Sequence, residues 1–133
     1  GAQVVPKDCD PSQLSQQWTF VPVDHKYYQI RASHSGKCMG IDEASVFTEG
    51  AVVVQNQCST KRNMLWRIDW SGARQTLVTK TTRYCLEMTS TGTSFEQIKC
   101  QRGDSSRQSL SIASTIAYKG ALATLAPSSA PTP

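Results

Sequence analysis

The chain has 133 residues and a mass of 14.6 kDa, the length of one domain and too short for two ordinary ones. With a mean hydropathy of −0.38 and no apolar run near the roughly 18 residues of a membrane span, it reads as a water-soluble domain able to bury a core of its own. Charged residues are only 18%, while Ser, Thr and Gln supply 16, 13 and 11, which excludes a Glu/Lys/Ala/Leu-rich bundle or coiled coil and favours short strands with polar turns.

In chain order, Gly1–Cys9 (GAQVVPKDC) opens with a short apolar stretch, and the Gly1–Ala2 start shows no signal-peptide pattern. QQWTFV around Trp18 is the next strand candidate, followed by Tyr28–Arg31 and by SGKCMGID around Cys38. Gly50–Cys58 (GAVVVQNQC), MLWRID around Trp66, Gln75–Thr79 and TRYCLEMT around Cys85 continue the series. Gly92–Cys100 (GTSFEQIKC) and QSLSIA around Leu110 complete it. The only plausible helix lies near Thr115–Leu125, weakened by Gly120. Residues 1–126 are therefore expected to form one all-β domain, with the Pro/Ser/Thr-rich residues 127–133 as a tail or linker.

These segments repeat. The Gly-to-Cys step is the same eight residues at Cys9, Cys58 and Cys100, and each Cys is followed after 8 to 10 residues by a large apolar residue: Trp18, Trp66 and Leu110. Cys38 and Cys85 lie 20 and 19 residues beyond the two tryptophans. One unit of about 45 residues thus reads strand, Cys-bearing strand, Gly-led strand with Cys, then Trp strand.

On these residues the chain resembles the ricin-type β-trefoil lectin domain, the R-type lectin family. The family's Q-x-W element stands here as Gln16-Gln17-Trp18, as Met64-Leu65-Trp66 and as Gln108-Ser109-Leu110, over roughly residues 1–112. The resemblance implies an all-β β-trefoil of three units, with Trp18, Trp66 and Leu110 in a shared core. It also implies bridges within units, Cys38 to Cys58 and Cys85 to Cys100. Cys9 is then left over, because its unit begins at Gly1, halfway through. Either residues 113–126 close the barrel from the C-terminal side or an upstream segment supplies the missing half. Three units of 42–49 residues fit within residues 1–126, which favours closure. Five cysteines without a metal-ligand spacing point to an oxidising, extracellular address, and the leftover Cys9 to a bond with a second chain or a removed N-terminal fragment, with a buried free thiol as the alternative.

The function implied is glycan binding. A galactose-type site in this family places an Asp two residues after the second-strand Cys, an aromatic two before the third-strand Cys, and Asn-Gln before x-Trp. In the second unit these positions hold Gly40, Asn56 and Asn63-Met64, with Asp42 two residues beyond the vacant carboxylate position. In the third they hold Glu87, Ile98 and Arg107-Gln108, and in the first only Lys7 and Ser15-Gln16 remain. The candidate ligand residues are therefore Asp42, Asn56, Asn63, Glu87, Arg107 and Gln108, with no complete inherited site in any unit. Tyr84, Phe95 and Tyr118 are candidate replacement stacking rings, weighed against core or hairpin packing.

Charge adds one further possibility. Residues 61–107 carry nine basic and four acidic groups, and Lys99, Arg102 and Arg107 would suit an anionic glycan. The basic residues are scattered and lack interleaved aromatics, which argues against nucleic acid as partner. Two isolated histidines, no G-x-S-x-G, no P-loop and no dinucleotide fingerprint leave an enzyme, a cofactor or a metal site without support. The expectation is a secreted or cell-surface lectin module. Its rival is a trefoil that has lost sugar binding and serves as a protein-interaction subunit.

Overall fold

The computed structural model describes residues 2–6, 12, 16–71, 74–101, 107–108, 110–114 and 122–127. They form ten strands: β1 (Gln17–Pro22), β2 (Tyr28–Ala32), β3 (Cys38–Ile41), β4 (Val53–Asn56), β5 (Trp66–Ser71), β6 (Arg74–Thr79), β7 (Cys85–Met88), β8 (Phe95–Ile98), β9 (Leu110–Ser114) and β10 (Leu122–Pro127). Six of them close on themselves. β1 pairs with β2, β2 with β5, β5 with β6, β6 with β9, β9 with β10, and β10 returns to β1 through Gln17↔Thr124. Every pairing is antiparallel, and closure leaves these strands without an open edge. The hairpins β3–β4 and β7–β8 extend from β2 and β6 over one end of this barrel. This is a β-trefoil.

The strand patterns explain the layers. β1 alternates, burying Trp18 and Phe20 while Thr19 and Val21 stay partly exposed. β3 is buried along its whole length because it lies between barrel and hairpin partner. Trp18, Phe20, Ile30, Met39, Ile41, Trp66, Leu77 and Leu86 meet in one core. Trp66, 1% exposed, also donates its indole N–H to the Met39 carbonyl at 2.9 Å, so the ring ties β5 to β3 as it fills the centre. Burial of such a side chain is worth on the order of 3 kcal/mol.

The threefold repeat is visible in the cap. Val4, Val53 and Phe95 occupy the same place in the three Gly-led segments, and all three are buried. The first segment lies antiparallel on β4 (Gln3↔Val54), and Val52 bridges to Glu96 at the corresponding place. Gln97 locks two units together. Its amide Nδ-equivalent nitrogen, Nε2, donates to the carbonyls of Val46 and Thr48, and its Oε1 accepts from Thr82. Elsewhere, Asp24 shapes the β1–β2 turn by accepting the backbone N–H groups of Lys26 and Tyr27, which hold its carboxyl below the usual aspartate range.

The bridges Cys38–Cys58 and Cys85–Cys100 are both formed, with Cα separations of 4.9 and 5.0 Å. Each clamps one cap hairpin to itself, closing loops whose constraint contributes on the order of 3 kcal/mol. The sequence reading is corrected at one place. The C-terminal part of the suggested Thr115–Leu125 helix is β10, since Leu122–Thr124 pair with β1 and Ala123–Pro127 pair with β9. A propensity for helix yields there to two waiting strand edges. β10 extends through Pro127, and residues 128–133 of the expected tail lie outside the described residues, as does Cys9.

Candidate functional site

The second unit carries a solvent-facing cleft of about 280 Å³ lined by Asp42, Glu43, Asn56, Gln57, Ser59, Lys61, Asn63 and Met64. Three local features build it. The chain leaves β3 at Asp42 and turns at once through the 3-10 turn Glu43–Ser45, with Ser45 N–H on the Asp42 carbonyl. Asn56 ends β4, and its Nδ2 donates to Asp42 Oδ1 at 2.9 Å. Asn63 sits in the 3-10 turn Arg62–Met64 just before β5 and donates Nδ2 to the Ile41 carbonyl at 2.7 Å. The chain's only two asparagines thus converge with Asp42 on one cleft.

The floor depends on Gly40. A Cβ there would strike Met64 Sδ and come within 2.7 Å of the Asn63 carbonyl oxygen. The absent side chain lets Met64 pack over the strand, where it is 2% exposed and fills the space beneath the polar walls. At the rim Lys61 Nζ meets Glu43 Oε1 at 2.7 Å, and this hydrogen bond raises the lysine's pKa. Both side chains are about two-thirds exposed, so the pair contributes little to stability.

In the third unit the corresponding positions are closed. Glu87, 5% exposed, accepts from Gln108 Nε2 at 2.9 Å. Gln108 also donates to the Lys99 carbonyl and accepts from Gln101 N–H. Its amide and the carboxylate therefore satisfy each other inside the protein. The pair Glu87/Gln108 and the pair Gly40/Met64 occupy equivalent sites, one filled by a polar lock and one by a thioether. Arg107 is half-buried, and its carbonyl accepts from Met88 N–H.

The remaining candidates are dispersed. Phe95 is core, Tyr84 is half-buried, and Tyr118 and Arg102 lie outside the described residues. Trp18 and Trp66 are buried in the barrel, and Leu110 heads β9 with its backbone paired to Gln75. Sequence reasoning passed over Glu43 and Lys61 as cleft residues. Their sequence neighbourhoods look like ordinary solvated turns, and only the approach of two turns eighteen residues apart makes them a rim. Among the described residues no group of three His, Cys, Asp or Glu side chains could hold a metal ion, and no helix is long and apolar enough to cross a membrane.

A family model for the ricin-type beta-trefoil lectin domain-like fold matches residues 1–100. Among solved structures the chain is similar to ThreeFoil, a designed 3-fold symmetric protein. The TM-score is 0.70 at 23% identity, over 95% of this chain and 83% of that one. It is also similar to 1,3Gal43A, an exo-β-1,3-galactanase from Clostridium thermocellum. There the TM-score is 0.66 at 21% identity, over 75% of this chain and 22% of that one. No curated protein sequence matches the chain.

Proposed function

The chain belongs to the ricin-type β-trefoil lectin-like family, and from that premise we propose that it is a non-catalytic carbohydrate-binding module whose second-unit cleft seats one sugar residue. The observation that carries the proposal is the convergence of Asp42, Asn56 and Asn63 on one solvent-facing cleft. A pyranose is polar at its rim and apolar on its faces. Carboxylate and amide oxygens at such a cleft accept the protons of the hydroxyl rim. The carboxylate that the family pattern puts at the Gly40 position is supplied instead from Asp42, and Asn56 orients it. The third unit serves the fold, because its carboxylate and amide are spent on each other. The likeness to part of a galactanase supports a carbohydrate-directed module, and the two disulfides support a secreted or cell-surface setting.

A glycan array followed by titration of the best binder tests this reading. Asp42→Ala is expected to weaken binding at least about tenfold with folding intact, the scale of losing hydrogen bonds to a charged group. Saturable binding that Asp42→Ala leaves unchanged would remove the cleft from the mechanism. A second reading, a protein-interaction subunit, draws on Phe47 and Trp70, large apolar side chains 76% and 67% exposed. Silence across neutral and charged glycans would favour it.

A further inference from the structure

We infer that the segment 2–6 is a docking edge for an extended strand of a separate polypeptide, which completes the first unit as β3 and β7 complete the second and third. In those two units the Gly-led strand is covered along one edge by the Cys-bearing strand before it, β4 by β3 and β8 by β7. The segment 2–6 holds the corresponding place in the first unit. Among the described residues it meets a strand only at its other edge. Gln3 bridges to Val54, Val4 N–H bonds to the Val53 carbonyl, and Gln55 N–H bonds to the Ala2 carbonyl.

Three groups that find partners in the other units lack them in the first. Val54 pairs with Gly40 and is 4% exposed. Its counterpart Val5 is 39% exposed, and its N–H and carbonyl have no partner among the described residues. Trp66 donates its indole N–H to the Met39 carbonyl of β3, but the N–H of Trp18, a residue only 5% exposed, has no acceptor among the described residues. Gln97 Nε2 donates to the carbonyls of Val46 and Thr48, in the loop that follows β3. Its counterpart Gln55 accepts from Ser35 in the way Gln97 accepts from Thr82, yet its Nε2 donates to no described residue. All three groups ask for one object, a strand beside the segment 2–6 with a loop behind it. A buried donor without an acceptor is costly, so the fold gains by taking one up through backbone pairing. Pro6 is no obstacle. Its counterparts Gln55 and Gln97 send their N–H groups to the carbonyls of Ala2 and Ala51, away from β3 and β7.

β3 and β7 define the occupant. Each begins with Cys, continues with an apolar residue that enters the core, Met39 or Leu86, and carries another two places on, Ile41 or Met88. The sequence agrees, because Cys9 stands where Cys58 and Cys100 stand, and their bridges end on the first residues of β3 and β7. The partner is thus an extended segment of the pattern Cys-apolar-x-apolar, antiparallel to the segment 2–6. Turn chemistry makes it a separate chain. Pro127 of β10, paired with Leu110, corresponds to Ala32 paired with Trp18 and Thr79 paired with Trp66. Four residues beyond Ala32 and Thr79 the chain turns into β3 and β7 through a residue of positive φ, Gly36 or Arg83. The sequence places Pro131 at that position, and proline, locked near a φ of about −65°, cannot make the turn.

The probe is a synthetic peptide copying residues 37–48 with Cys38→Ser, titrated into the whole chain. Binding is followed by calorimetry and by hydrogen exchange at the Val5 amide and the Trp18 indole. One peptide is expected to bind saturably per chain and to slow both protons at least about tenfold. Met39→Asp with Ile41→Asp in the peptide is expected to abolish binding, since both side chains must enter the core. Val5→Pro in the protein removes an N–H that faces the peptide at an exposed position. It is expected to weaken binding at least about tenfold with the thermal midpoint unchanged, and Gln55→Ala to weaken it about threefold. A peptide that does not bind, or that binds both variants as tightly as the wild type, overturns the inference. So does slow exchange at both protons before peptide is added, because the edge is then already covered by this chain or by a second copy. The sugar-binding reading is independent of each of these outcomes.

Discussion

At the scale of single residues, the two equivalent pairs Gly40/Met64 and Glu87/Gln108 show how one position can be filled either by an apolar side chain or by a polar pair. Glu87 is buried, so its charge is tolerable only with a partner, and Gln108 supplies one at the cost of filling the space. Gly40 removes the side chain altogether. The space goes to Met64, whose flexible thioether adapts to it. Gly40→Ala would push a methyl group against Met64 Sδ and the Asn63 backbone. Met64 can yield, but a carbonyl oxygen at 2.7 Å cannot do so without moving Asn63. The expected outcome is a loss of about 1–3 kcal/mol in urea unfolding, together with loss of cleft binding. An unchanged midpoint would show that the close approach does not matter.

At the scale of elements, the cap hairpins are entered through the same turn twice. Gly36 N–H bonds to the Ala32 carbonyl, and Arg83 N–H bonds to the Thr79 carbonyl at 3.0 Å. Each residue lies two before its bridged Cys, and each has positive φ, 71° at Gly36 and 62° at Arg83. Glycine adopts that conformation freely, whereas a side-chain-bearing residue incurs roughly 1–2 kcal/mol. Arg83 is exposed and forms no ion pair among the described residues, so little opposes its replacement. Arg83→Gly is expected to stabilise the protein by about 0.5–1 kcal/mol and to raise Tm by a few degrees. A fall in Tm would mean that the arginine side chain contributes more than its backbone strain removes.

At the scale of the whole molecule, closure of the barrel rests on β10. It is the strand that joins β9 to β1 and so brings the C-terminal part of the chain to the place of the first unit's opening strand. The Gly-led Ala2–Pro6 segment and β1 supply the third and fourth positions of that unit from the N-terminal side. Deleting residues 122–133 would open the barrel along both edges of β10 and expose the core beneath. The expected result is loss of cooperative thermal unfolding, since the deficit is comparable with the 5–15 kcal/mol that holds a domain together. A truncated chain that melts with the wild-type midpoint would refute closure by this strand.

The sequence by itself determined the repeat. Cysteine spacing, Gly-led apolar stretches and the Trp strands are set by local periodicity, and they specify which residues form strands and which side of each is buried. With the family resemblance they also led to both disulfides. Only the tertiary structure decided the end of the chain and the site. Leu122–Pro127 becomes a strand because two distant edges await it, a long-range pairing that no local pattern encodes. Likewise Asp42 comes from the turn after β3, Asn56 from the end of β4, and Lys61 and Asn63 from the turn before β5, and their meeting depends on how these pack around a missing side chain at Gly40. A strand's buried face follows from the period of two along the chain. A cleft follows from distances between turns, which the chain fixes only when it closes.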